Sequence, residues 1–232
     1  MVGLLTVWSS LFTVFTMSDQ RQDILACACD LYLSQGLDGF SMRGLAKEVG
    51  VTAPALYRHY DGREAVLADV MREAHRAFMS YIYRALEAPT PLERFTRAGE
   101  GYLDFAIEHP RWYAMMFSGP ERLGMVAIPD DIEAMGCAIH QFWIDRVGEC
   151  MRAGILVEGD PLKTSLTMWA HAHGMVQLFH QGRLGKDVDS FRALFRESAV
   201  RLMGGVASRE SASQLAVADT KDATRVQIQT TA

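Results

Sequence analysis

The sequence predicts an all-α protein: a three-helix head containing a helix-turn-helix, joined by a long helix to a C-terminal helical bundle. Three observations carry this reading. Apolar residues recur at i, i+3, i+4 and i+7 through most of the 232 residues. Capping residues, prolines and glycines punctuate the chain at helix-length intervals. No run of alternating β-branched residues demands a sheet. Hydrophobic residues make up 49% and charged residues 22%, an ordinary globular composition. That composition excludes chain-wide disorder, a collagen repeat and a disulfide scaffold.

The elements follow in order. Residues 1–16 carry no charge. They are too few for a membrane span, which needs about 20 apolar residues, and they lack the marks of a secretory signal. They read as a non-native or dispensable extension, with a weak membrane or partner-binding arm as the alternative. Asp19 to Gln35 carries the stripe Ile24, Cys27, Ala28, Leu31 and ends at Gly36 as a C-cap. Ser41 caps Met42–Val49, which Gly50 stops, and Thr52 caps Ala53–His59 with Pro54 in the first turn.

Asp61 and Glu64 open a long helix to about Leu86, and Thr90 with Glu93 forms a capping box for the next. Arg111–Phe117 is a short helix, and Ser118 to Pro129 reads as loop. Further helices run over Asp130–Ala153, from Asp160-Pro161 to Gly182, and over Asp189–Met203. From Ala207 onward the apolar pattern fades into a tail that reads as disordered. The domains expected are a head over 17–62 and a helical body over 63–206.

The formal net charge is −5, so nucleic-acid binding needs a local face rather than global attraction. Residues 18–64 hold five basic and seven acidic side chains, yet Ser41 to Arg63 holds four basic and two acidic. In that stretch two short helices meet at Val49-Gly50-Val51, with Leu45, Ala46, Val49, Val51 and Leu56 as the apolar lock. The second helix is expected to expose Thr52, Ala53, Pro54, Ala55, Tyr57, Arg58 and His59. Small residues at its front would let the backbone approach the major groove, while Tyr57, Arg58 and His59 reach phosphates or base edges.

The residues Gly39-Phe40-Ser41, Leu45-Ala46, Gly50-Val51-Thr52, Leu56-Tyr57-Arg58-His59-Tyr60, Arg63-Glu64 and Leu67 resemble the DNA-binding signature of TetR-type transcriptional regulators. The resemblance implies phosphate contacts from Ser41, Thr52, Tyr57 and Arg63. It implies base contacts from Arg43 and Ala53–Ala55, with His59 close to the backbone. The family usually has Lys at the position of Arg63 and Phe at that of Tyr60. Ala53-Pro54-Ala55 offers few base hydrogen bonds, so readout would rest on methyl contacts and DNA shape.

In the body, Leu162, Leu166, Trp169, His173, Val176 and His180 form one stripe, and Met168, Ala172, Met175 and Phe179 another. A helix apolar on two sides is buried on two sides. One side would serve the protein's own domain and one a second subunit. Trp169 to Gly174 and His109 to Phe117 resemble elements of one class of TetR-type ligand domain. Trp112, Met116, Phe142, Trp169, His173 and Gln177 are the residues expected at a small apolar effector. Met168, Ala172, Met175, Phe179, Phe191, Phe195 and Leu202 are those expected at a homodimer interface.

Enzymatic readings have little support. His171 and His173 point about 200° apart on a helix and cannot share an ion. No zinc-protease, nucleophile-elbow or phosphate-loop motif occurs. The four cysteines, Cys27, Cys29, Cys137 and Cys150, read as buried thiols in a reducing cytoplasm. No metal, cofactor or membrane is expected, and the location expected is the cytoplasm. The function expected is a ligand-responsive regulator, most often a repressor, on a near-palindromic double-stranded operator. The alternatives are a helical hydrolase or metal enzyme and a non-DNA-binding adaptor, both separated from it by duplex binding.

Overall fold

The computed structural model describes residues 3–206, with side chains from Gln20 to Gly205. Among the described residues it holds ten α-helices and no named strand. The helices are α1 (Gly3–Gly39), α2 (Met42–Val49), α3 (Ala53–Leu56), α4 (Arg63–Tyr83), α5 (Pro91–Glu108), α6 (Pro110–Met116), α7 (Pro120–Leu123), α8 (Asp130–Arg152), α9 (Pro161–His180) and α10 (Val188–Val206). A 3₁₀ turn, Arg84–Glu87, follows α4. The expected tail from residue 207 lies outside the described residues. None of the described helices is long and apolar enough to cross a membrane.

The elements depart from the sequence pattern in three places. Helix α1 begins at Gly3, inside the stretch read as a separate extension, because neither Gly nor Pro interrupts the chain between Gly3 and Gly36. At Gly36 the backbone turns to φ 71°, ψ −168°, and this glycine kinks the helix before its last turn. Helix α3 stops at Leu56 rather than His59. Beyond it the bonds tighten to i−3, with the Arg58 N–H on the Ala55 carbonyl at 3.2 Å and that of His59 on Leu56 at 3.0 Å. Helix α7 occupies part of the expected loop. Pro120 starts it and Gly124, at φ 66°, ends it, so residues that signal a loop bracket a single turn.

The chain forms two compact units. One holds the residues up to Phe78 together with His109–Gly136; the other holds Met79–Glu108 and the residues from Cys137 on. The core of the first packs Ile24, Leu31, Phe40, Leu45, Leu56 and Leu67 with Met115, Leu123 and Ile132. Burying each such side chain contributes about 1.5–3 kcal/mol. A chain of ion pairs runs over this unit. Arg21 meets Asp69 at 3.0 Å, and Arg72 meets Asp69 at 2.5 Å and both oxygens of Asp131 at 2.5 and 2.9 Å. The hydrogen bond from Arg72 holds the Asp131 carboxyl below the usual range. In the second unit Arg192 pairs with Asp104 at 2.5 Å and Phe179 stacks on Phe191 at 4.1 Å. The Thr90–Glu93 capping box forms, with the Glu93 N–H on Thr90 Oγ1 at 3.3 Å and the Thr90 N–H on Glu93 Oε2 at 3.2 Å.

Candidate nucleic-acid interface and apolar cavity

Two capped helices build the head. Ser41 adopts an extended backbone and its Oγ accepts the Gly44 N–H at 3.1 Å, opening α2. Gly50 takes the left-handed φ 77°, ψ 28°, which closes α2 and aims the chain into α3. Thr52 Oγ1 then accepts the Ala55 N–H at 3.4 Å. The fully buried Leu45 and Leu56, with Ala46, hold the two helices together. This is helix-turn-helix geometry.

Exposure sorts the expected DNA-facing residues. Ser41, Arg43, Thr52, Pro54 and Arg58 are exposed, and Tyr57 is 52% exposed. A large aromatic beside a guanidinium, both open to solvent at a helix-turn-helix, suits phosphate and sugar contact. Ala53 and His59 are half-buried, and His59 Nε2 lies 3.2 Å from Gln20 Oε1. Ala55 departs from expectation: at 9% exposure it faces the core beside Leu56 and offers little surface to a base.

Arg63 departs further. Its Nε donates to the Phe40 carbonyl at 3.4 Å, one terminal nitrogen to Leu37 at 3.2 Å and the other to Leu123 at 3.2 Å. The guanidinium is thus committed to backbone carbonyls of its own unit, clamping the start of α4 to the α1–α2 turn and to α7. A Lys, with its compact ammonium, cannot span three such carbonyls in this way. Tyr60 fits the same inward pattern. It is buried under the Arg21 guanidinium, 4.8 Å from the ring centre, and burial pushes its hydroxyl up to about 12.

The second unit contains a cavity of about 100 Å³. Phe95, Gly99 and Tyr102 of α5 form one wall and Trp143 and Val147 of α8 another. Ser165, Met168, Trp169, His171 and Ala172 of α9 face Phe195, Ala199, Leu202 and Met203 of α10. No charged side chain lines it.

This arrangement redistributes the two stripes of α9. Met168, Ala172, Phe195 and Leu202, expected at a dimer face, line the cavity. Phe191 is 1% exposed beneath Phe179, so its ring is not open to a partner, whereas Phe179 is half-buried. Met175 is half-buried. The row left open is Leu162, Leu166 and Trp169, exposed by 43%, 38% and 38%. Of the expected effector residues, Trp169 lines the cavity and His173 and Gln177 do not. They lie 3.5 Å apart, and burial lowers the His173 basicity. Phe142 packs against Tyr83 and the Arg146 guanidinium, and its neighbour Trp143 takes the cavity wall. Trp112 and Met116 belong to the first unit and do not line the cavity. Sequence reasoning missed the α5 wall, although Phe95, Gly99 and Tyr102 stand at i, i+4 and i+7 with a glycine leaving room between two rings. It also missed His171 as a cavity residue. Among the described residues no group of three or more His, Cys, Asp or Glu could hold a metal ion.

Residues 24–70 match the model of bacterial regulatory proteins of the tetR family, and residues 95–202 match the tetracyclin repressor-like C-terminal domain. Together they cover more than half of the chain. The chain belongs to the TetR family. It is therefore a TetR-family transcriptional regulator with a DNA-binding helix-turn-helix, and the family is one of regulators rather than enzymes.

A structure of a protein with unknown function from Rhodococcus sp. RHA1 is 26% identical with TM-score 0.71, covering 82% of this chain and 96% of that one. The ketosteroid transcriptional regulator KstR2 of Mycobacterium tuberculosis shares the fold, at 16% identity and TM-score 0.61, over 82% of this chain and 95% of that one. The transcriptional repressor KstR2 of Mycolicibacterium smegmatis is 22% identical over 59% of this chain and 67% of its own length. The chain spans about half to two thirds of the length of the curated TetR-family relatives it matches.

Proposed function

We propose that this chain is a one-component repressor that binds a near-palindromic DNA operator as a homodimer and releases it when a small apolar molecule enters the cavity. The observation that carries the reading is the head: two capped helices locked through Gly50, presenting Tyr57 and Arg58 to solvent. Domain roles follow as 17–62 for DNA and 63–206 for effector and dimer, with a cytoplasmic location. Repression draws support from the M. smegmatis relative, which is named a repressor.

Two recognition helices about one DNA turn (~34 Å) apart would read the two half-sites. Helix α4 runs unbroken from Arg63 at the head into the second unit. A ligand that favours one tilt of α4 changes the half-site spacing that the dimer presents, and operator affinity falls by the differential binding energy. For the dimer, the exposed row Leu162, Leu166 and Trp169 of α9 is the face proposed. The ketosteroid in the M. tuberculosis relative's title is not carried over. A cavity of about 100 Å³ is nearer in size to one that holds a single benzene ring (~150 Å³) than to a four-ring body.

The test contrasts two arginines. Arg58→Ala is expected to weaken binding to all duplexes and to lower the slope of log K against log salt by about one. Arg63→Ala is expected to leave that slope unchanged and to lower the melting temperature, because its partners are carbonyls of its own unit. Binding isotherms at four salt concentrations check both. A wild-type slope in Arg58→Ala, or a slope loss in Arg63→Ala, would reverse the assignment.

A further inference from the structure

The cavity's polar groups say what kind of molecule it takes. His171 lines the wall, with its Nε2 3.1 Å from Ser198 Oγ. Ser198 Oγ also lies 2.9 Å from the Phe195 carbonyl, which can only accept. The single hydroxyl proton of Ser198 therefore goes to Phe195, and its oxygen accepts from His171. In the neutral imidazole this fixes the hydrogen on Nε2 and leaves Nδ1 as a bare acceptor. Ser165 repeats the pattern. Its hydroxyl donates to the Leu162 carbonyl at 3.0 Å, and only lone pairs remain. Both groups thus offer acceptors within a wall that carries no charged side chain.

We infer that the cavity takes an uncharged, compact apolar molecule of about one ring, bearing a hydroxyl that donates to Nδ1 of His171. The inference rests on the reading of this cavity as the effector site, and it names that effector's chemical class. A carboxylate would meet no cation in the wall and no donor from Ser165 or Ser198, so the Tyr102 and Trp169 side chains alone would have to offset its desolvation cost. A bare hydrocarbon ring fits the walls but leaves the acceptor unpaired.

Calorimetric titration of the full chain at pH 8, where an ordinary imidazole and phenol are both neutral, tests this with three probes. These are phenol, its near-isostere fluorobenzene, and benzoate. Phenol is expected to bind about 3- to 10-fold more tightly than fluorobenzene, the worth of one net hydrogen bond, and benzoate not to bind. In His171→Phe, which keeps a ring but loses the acceptor, the phenol-to-fluorobenzene ratio is expected to fall to about one. A thermal melt verifies that the variant is folded, and the wild-type series stands without it. Fluorobenzene binding as tightly as phenol, or benzoate competing with phenol, overturns the inference while leaving the cavity an effector site. Absence of heat with both phenol and fluorobenzene overturns the effector reading itself.

Discussion

Leu166→Asp is expected to sediment as a monomer and to bind an operator duplex about 100-fold more weakly than the wild-type chain. Leu162, Leu166 and Trp169 form an exposed apolar row on α9, beside the Ser165, Met168 and Ala172 face that lines the cavity, with Trp169 at the edge of both. An apolar row of this kind on a two-sided helix is what a second copy would cover. A carboxylate placed at its middle would have to lose its hydration when the row is buried, with no cation of α9 nearer than Lys163 to offset the cost. The affinity loss follows from avidity. A dimer gains the second head's contacts at an effective concentration set by the first, worth about 10²–10⁴-fold, and a monomer forfeits it. Sedimentation velocity and a binding isotherm check the two halves separately. A Leu166→Asp chain that remains dimeric would move the interface off this row.

Gly101→Ala is expected to destabilise the protein by about 2–3 kcal/mol. A Cβ at Gly101 would stand 2.6 Å from the Tyr81 carbonyl oxygen and 3.0 Å from its carbon. Both are backbone atoms, so no side chain can swing aside, and the helix must shift at a cost typical of overpacking. Gly99, two residues earlier, meets nothing within 4 Å, so Gly99→Ala is expected to gain up to about 1 kcal/mol from helix propensity. Chemical denaturation of the pair checks this. Equal midpoints for the two variants would mean that α5 does not approach the α4 backbone this closely.

The head was legible because its signals are local. Ser41, Gly50 and Thr52 act on their own neighbours through capping and backbone conformation, and these effects depend little on what packs elsewhere. The exposed residues of the recognition segment follow from helical spacing except at Ala55, which shares the buried side of the single-turn α3 with Leu56. Arg63 could not be read correctly from its position in the motif. Its partners, the carbonyls of Leu37, Phe40 and Leu123, belong to three segments, and one of them lies on a helix that the glycines and prolines around it disguised as loop. The two stripes of α9 were both visible, but periodicity gives the angle between faces and not what each face meets. The decision lay in α5 and α10. Phe95, Gly99 and Tyr102 on one side and Phe195, Ala199 and Leu202 on the other enclose the Met168–Ala172 stripe and leave Leu162 and Leu166 outside. The role of His171 as a fixed acceptor depends on Ser198, which lies 27 residues away in sequence.

As a homodimer of the proposed kind, the protein reads duplex DNA with two symmetric heads. Selection from a pool of random-sequence duplexes by the full chain tests it most directly. The account predicts enrichment of a near-palindrome whose half-site centres lie about one helical turn, ~34 Å, apart, and predicts that Arg58→Ala depletes every enriched sequence alike. A pool that emerges unenriched, or enrichment of a single half-site with no symmetric mate, would contradict it.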